Sequence, residues 1–159
     1  MTKFLLSVHV IAAILAIGPV AVAASMFPPA ARRAPATGPG DDDGQGAGGH
    51  PDPTGTLRLL HRICRVYAVV GVVVPVFGFA TASEMGVLGS AWLIVSIALT
   101  ALAALVLAAL VLPAQSALLE GRADAGRAAR LGMVTGLFNL LWAAVTVLMI
   151  VRPGSTTGA

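Results

Sequence analysis

The chain has 159 residues, of which 57% are hydrophobic and only 11% charged, with a mean hydropathy of +0.90. A water-soluble domain needs roughly a quarter of its residues charged to cover its surface, so this composition excludes an ordinary soluble protein and predicts one covered by lipid. The net charge of +3 does not signal nucleic acid, because the cations sit beside apolar segments and are hardly interleaved with aromatics. The single cysteine, Cys64, excludes an internal disulfide and any Cys-x-x-Cys pair, and with them the membrane thiol oxidoreductases.

Four apolar segments follow one another. The first, residues 4–26, is interrupted only by Ser7, His9, Ser25 and the Gly18-Pro19 step. At 1.5 Å per residue it crosses a hydrocarbon core of about 30 Å. Lys3, the apolar run after it and Ala21-Val22-Ala23 also fit a cleavable signal peptide. Charge decides between the two readings, since lysine and arginine near the membrane stay on the cytoplasmic side.

With four spans, the first and third loops share a side and hold Arg32, Arg33, Arg58, Arg62, Arg65, Arg122, Arg127 and Arg130, against Lys3 and Arg152 opposite. An uncleaved first helix is therefore expected, with both termini outside and the two arginine-rich loops cytoplasmic. Cleavage would turn both of those loops outward.

Residues 27–55 are rich in Pro and Gly and carry the acidic run Asp41-Asp42-Asp43, which predicts a flexible, disordered linker. The spacing of Asp41, Asp43 and Gln45 resembles a calcium loop. The closing glutamate is missing, however, and Gly46 is misplaced, so a solvated linker is the better reading.

The second span, 57–82, is the most regular. His61, Cys64, Ala68, Gly71, Pro75, Gly78 and Ala82 alternate steps of three and four and so share one helix face. In lipid, helices associate where small residues let backbones approach, so another helix should lie on this seam. Pro75 predicts a kink. Arg58, Arg62 and Arg65 mark the cytoplasmic end and are placed to reach lipid headgroups.

A short external turn, 83–86, leads to the third span, 88–112, which has small residues at Ser96, Thr100, Ala104 and Ala108. Pro113 is expected to end it, leaving Pro113 to Arg127 as a loop from which Asp124 starts the fourth span, 128–151. That span repeats the small-residue device with Gly132, Gly136, Asn139, Ala143 and Thr146, and span one has His9, Ala13, Ala16 and Ala23. The expected fold is therefore all-α, an integral membrane four-helix bundle forming a single transmembrane domain. Gly71, Pro75, Gly78, Gly132, Gly136 and Asn139 are its helix-packing residues.

Chemistry is thinly represented. No aspartate or glutamate lies inside a span, which argues against a proton-coupled antiporter. His9 and His61 are the sharper candidates, since imidazole ligates haem and copper. They lie near opposite ends of their spans, roughly 15 Å apart in depth on a core of about 30 Å, too far to share one iron.

A site at His61 and Cys64, with Met26 and Met133 at similar depth, would suit copper(I). Methionine is more often a gap-filler and histidine an interhelical hydrogen-bonder, so the expectation is no cofactor, with haem b or copper as the alternative.

The opening KFLLSVHVIAAILAIGPVAVAASMF, the LHRICRVYAVVG stretch and the SAWLIVSIALT segment together resemble a family of small bacterial integral membrane proteins with four helices and unassigned function. The resemblance covers the chain apart from the linker. It implies that His9 and His61 are family features and that helix one is retained, and it supplies no activity.

The expectation is therefore a non-enzymatic accessory or scaffold bundle of the plasma membrane. Its partners are the lipid bilayer and another membrane protein or a second copy of itself, with no nucleic acid. A haem or copper protein and a small transporter subunit are the rival readings.

Overall fold

The computed structural model describes residues 2–33, 53–121 and 125–154. Within these the chain is all helix, with no strand. The elements are α1 (Thr2–Arg33), α2 (Pro53–Val70), α3 (Val73–Glu84), α4 (Ala91–Val106), a π-helical turn (Leu107–Val111), α5 (Leu112–Leu119) and α6 (Ala125–Val151). They form four spans: α1, α2 with α3, α4 through α5, and α6. Each is long and apolar enough to cross a membrane. The expected four-helix bundle is present.

Three boundaries differ from expectation. Helix α1 does not stop at Met26 but continues to Arg33 through Pro28 and Pro29. Part of the expected linker is therefore helical. Phe27 drives this extension: it is fully buried in the main core beside Val20, Ala23 and Ala24, so the last turns are held by packing that offsets the helix cost of the prolines. Pro53 to Gly55 are likewise helical, while Asp41 to Asp43 and Asp124 lie outside the described residues.

The second correction concerns span two, which is two helices parted at Gly71-Val72 and not one helix bent at Pro75. Pro75 has no N–H to donate to the Gly71 carbonyl and its ring crowds that carbonyl, so the disturbance falls one turn earlier. Val74 N–H closes a tighter turn on Gly71 instead, at 3.2 Å. Helix α3 then ends at Gly86 (φ 67°), where Gly86 N–H bonds Ser83 and Val87 N–H bonds Ala82 at 3.0 and 3.1 Å. These paired bonds cap the carbonyls and make the turn tight, as expected of 83–86.

Third, Pro113 does not end span three. The π turn just before it, closed by Leu112 N–H on the Leu107 carbonyl, shifts the register where the proline lacks a donor, and the helix runs on to Leu119.

The main core gathers at the end of the bundle that carries the arginines. It combines Val20, Ala24 and Phe27 of α1, Leu57, Leu60 and Cys64 of α2, Ala103, Val106, Leu107 and Val111 of span three, and Leu131 and Phe138 of α6. At the other end α3 packs chiefly on α1 while α4 packs on α6. The two pairs meet there only in a small cluster of Ala82, Trp92 and Leu93 with Val87 and Met149.

The expected seams are only partly the buried faces. On span two Cys64, Val74, Thr81 and Ala82 are buried, and the Val69, Val72, Val76 and Phe79 stripe is exposed, as the seam requires. On α6 the buried stripe is Ala128, Leu131, Thr135, Phe138 and Val145. The glycine stripe therefore lies at its edge: Gly136, Ala143 and Thr146 are exposed, and an added Cβ at Gly136 would meet nothing within 4 Å. Gly132 does face a neighbour, Pro28 of α1, whose Cβ lies 3.9 Å from where its own would stand.

Candidate functional site

Span three continues past Pro113, and that continuation carries Gln115 and Ser116 into the bundle. Gln115 is completely buried, at 0% exposure. Its Nε2 donates to Cys64 Sγ at 3.5 Å, which leaves Oε1 to accept from His61 Nδ1 at 3.0 Å. With the amide so oriented, this bond is donated from Nδ1, and Nε2 is the nitrogen left for other contacts. Ser116 Oγ stands 3.5 Å from that Nε2 and 3.1 Å from the Leu112 carbonyl. The result is a directional chain from a shallow cleft, lined by His61, Arg65, Leu112, Pro113, Ser116 and Ala117, down to a buried thiol.

Sequence reading paired His61 with Cys64 but put Gln115 and Ser116 in a loop. What joins the first two is the amide between them. Of the soft ligands in the alternative copper reading, Cys64 is completely buried, whereas Met26 and Met133 are 53% and 76% exposed. Among the described residues, no three His, Cys, Asp or Glu side chains gather as a metal-binding group.

His9 belongs to a separate centre. Its Nδ1 donates to the Val74 carbonyl at 3.1 Å, and its ring lies against Gly78, where an added Cβ would stand 3.0 Å from Cε1. Gly78 is small because an imidazole occupies its surface. Val74 and His61 are separated by thirteen positions of span two, roughly 20 Å at 1.5 Å each, so the histidines serve different levels of the bundle.

Asn139 Nδ2 donates to Ser25 Oγ at 3.0 Å and ties α6 to α1. Most other hydroxyls inside the spans bond back one turn, among them Thr81 to Phe77, Ser96 to Trp92, Thr100 to Ser96 and Thr146 to Trp142. Thr135 is an exception. Its Oγ1, with Asn139 Oδ1 and Trp142 Nε1, is buried without a partner, and the three fall on one face of α6. Arg58, Arg62 and Arg65 are exposed, as headgroup-facing side chains must be.

At the other end a cleft of about 1000 Å³ separates the two helix pairs. It is predominantly aliphatic, and its walls include His9, Gly78, Trp92, Trp142 and, at the rim, Arg152. Sequence reading did not anticipate it, because each of its walls reads alone as an ordinary apolar helix face.

Fold and polar centres together define a multi-pass membrane bundle braced by interhelical hydrogen bonds. Comparison with known protein families, with curated proteins and with solved structures found no match.

Proposed function

We propose that the chain is a non-enzymatic accessory or scaffold bundle of a bacterial plasma membrane, with both termini outside and the arginine-rich loops cytoplasmic. One observation carries this reading. His9, His61 with Gln115 and Cys64, and Asn139 each spend their hydrogen bonds tying one helix to another, as structural polar groups in lipid do.

The test of the non-enzymatic, cofactor-free reading is the absorbance spectrum and metal content of the purified protein. No Soret band and less than one metal per chain are expected, and either signal at stoichiometric level would sink it. Topology is checked by reporter fusions at Ala159. A periplasmic reporter should be active there, and a cytoplasmic signal would reverse the charge argument.

The haem or copper reading is favoured by a specific feature. His61 donates Nδ1–H to an amide oxygen and has its Nε2 beside Ser116 on a cleft, the way metal-ligating histidines are oriented. Against it, Cys64 is buried and already engaged with Gln115, and both methionines are exposed. The accessory reading accounts for more of the polar contacts.

A further inference from the structure

The cleft between the α1–α3 and α4–α6 pairs has three properties that together select an occupant. Its walls are mostly aliphatic, with Ile14, Gly18, Ile97 and Ala104 among them, so the occupant is apolar along most of its length. It runs along α6 from Trp142 to Arg152, ten positions or roughly 15 Å, about half of a 30 Å hydrocarbon core and so the depth of one leaflet.

Its rim carries a cation. Arg152 is the one described non-glycine residue at positive φ, 45°, a conformation L-residues avoid. Its guanidinium carbon lies 5.7 Å from the centre of the Trp92 ring and its Nε donates to the Met149 carbonyl at 3.3 Å. Among the described residues no carboxylate pairs with it. Guanidinium N–H groups are left to meet an anion at the height where headgroups lie.

We infer that this cleft holds the hydrocarbon chain of a lipid whose anionic head, phosphate or carboxylate, is bound at the rim by Arg152. A neutral lipid would fill the cleft equally well but leave the cation without a counter-charge, so the head determines the selectivity. Arg152 clasped over Trp92 fixes the height of that head. The cleft below fixes the length of chain that follows it.

Both tryptophans of the chain, Trp92 and Trp142, line this cleft, so intrinsic fluorescence reports on its contents. The full chain is reconstituted in phosphatidylcholine vesicles. Brominated-chain phosphatidylglycerol, brominated phosphatidylcholine or a brominated fatty acid is then titrated in as quencher. Phosphatidylglycerol is expected to reach half-quenching at an about fivefold lower mole fraction than phosphatidylcholine. A preference shown by the fatty acid alone supports the same site with a free carboxylate as its ligand.

Arg152→Gln should abolish the preference, and Arg130→Gln, at the other end, should leave it intact. Gly18→Leu adds bulk where a Cβ meets nothing within 4 Å, so it fills the cleft without a clash and should weaken quenching by the anionic lipid. Equal half-quenching by all three lipids would overturn the proposal, as would a preference that survives Arg152→Gln.

Discussion

The two ends of this bundle solve the same packing problem in opposite ways. At the arginine end all four spans contribute to one core, and polar side chains bond across it: the buried Gln115 joins α5 to α2, and Asn139, in an exposed contact, joins α6 to α1. At the other end the spans part into two pairs, and the space between them is an apolar cleft crossed only at its tip. The difference shows that in lipid, where apolar side chains gain nothing by hiding from one another, closure follows small residues and shared polar bonds. Where both are present, the helices converge. Where α3 packs on α1 and reaches span three through Ala82, the two pairs stay apart.

The comparison breaks most visibly at its largest side chains. Phe27→Ala, in the closed half, is expected to cost about 3 kcal/mol in a reversible unfolding measurement on reconstituted protein. Phe79→Ala, on the wall of the cleft, should cost no more than about 0.5 kcal/mol. Equal costs would mean that both halves are packed alike.

Next in size is the imidazole seat. Gly78→Ala places a Cβ 3.0 Å from His9 Cε1 and should cost about 2 kcal/mol. Most of that should vanish in a His9→Ala background, giving a coupling of about 1.5 kcal/mol in the double-mutant cycle. Gly136→Ala meets nothing and should stabilise by up to about 1 kcal/mol through helix propensity. Opposite signs at the two glycines are the discriminating result.

Gln115→Ala removes the link between His61 and Cys64 and leaves a half-buried imidazole N–H unpaired, a loss of about 1 kcal/mol. It should also speed maleimide labelling of Cys64, and an unchanged labelling rate would show that the thiol is shielded by packing alone. The smallest effect is expected at Asn139→Ala, about 0.6 kcal/mol, matched by Ser25→Ala and not additive with it.

What could be read before the fold was known follows the same division. The four spans and the seam on span two were legible, because length, hydropathy and a three-four alternation of small residues act within one helix. The separation of His9 from His61 was legible for a similar reason, being set by rise along the helix.

Gln115 and Ser116 were not, because Pro113 looks like a stop and nothing local announces that a π turn will carry the helix through it. Phe27 was hidden by the prolines that follow it, which have weak helical preference and are overruled by a buried ring. The α6 glycines misled by about one position of phase: small residues flank its buried stripe without forming it. The cleft belongs to no single segment, so no reading of separate segments finds it.

The π turn at Leu107–Val111 has an angular consequence. A helix advances about 100° per residue, and a π turn holds one residue more than the α turn it replaces. Everything downstream is thereby rotated by about that angle relative to an unbroken helix. Were one residue removed between Leu107 and Val111, α5 would turn by roughly a quarter of a circle or a little more, and Gln115 would leave the line between His61 and Cys64. The polar chain at the arginine end thus depends on a count as well as on composition: five residues in one turn where four would have pointed the amide elsewhere.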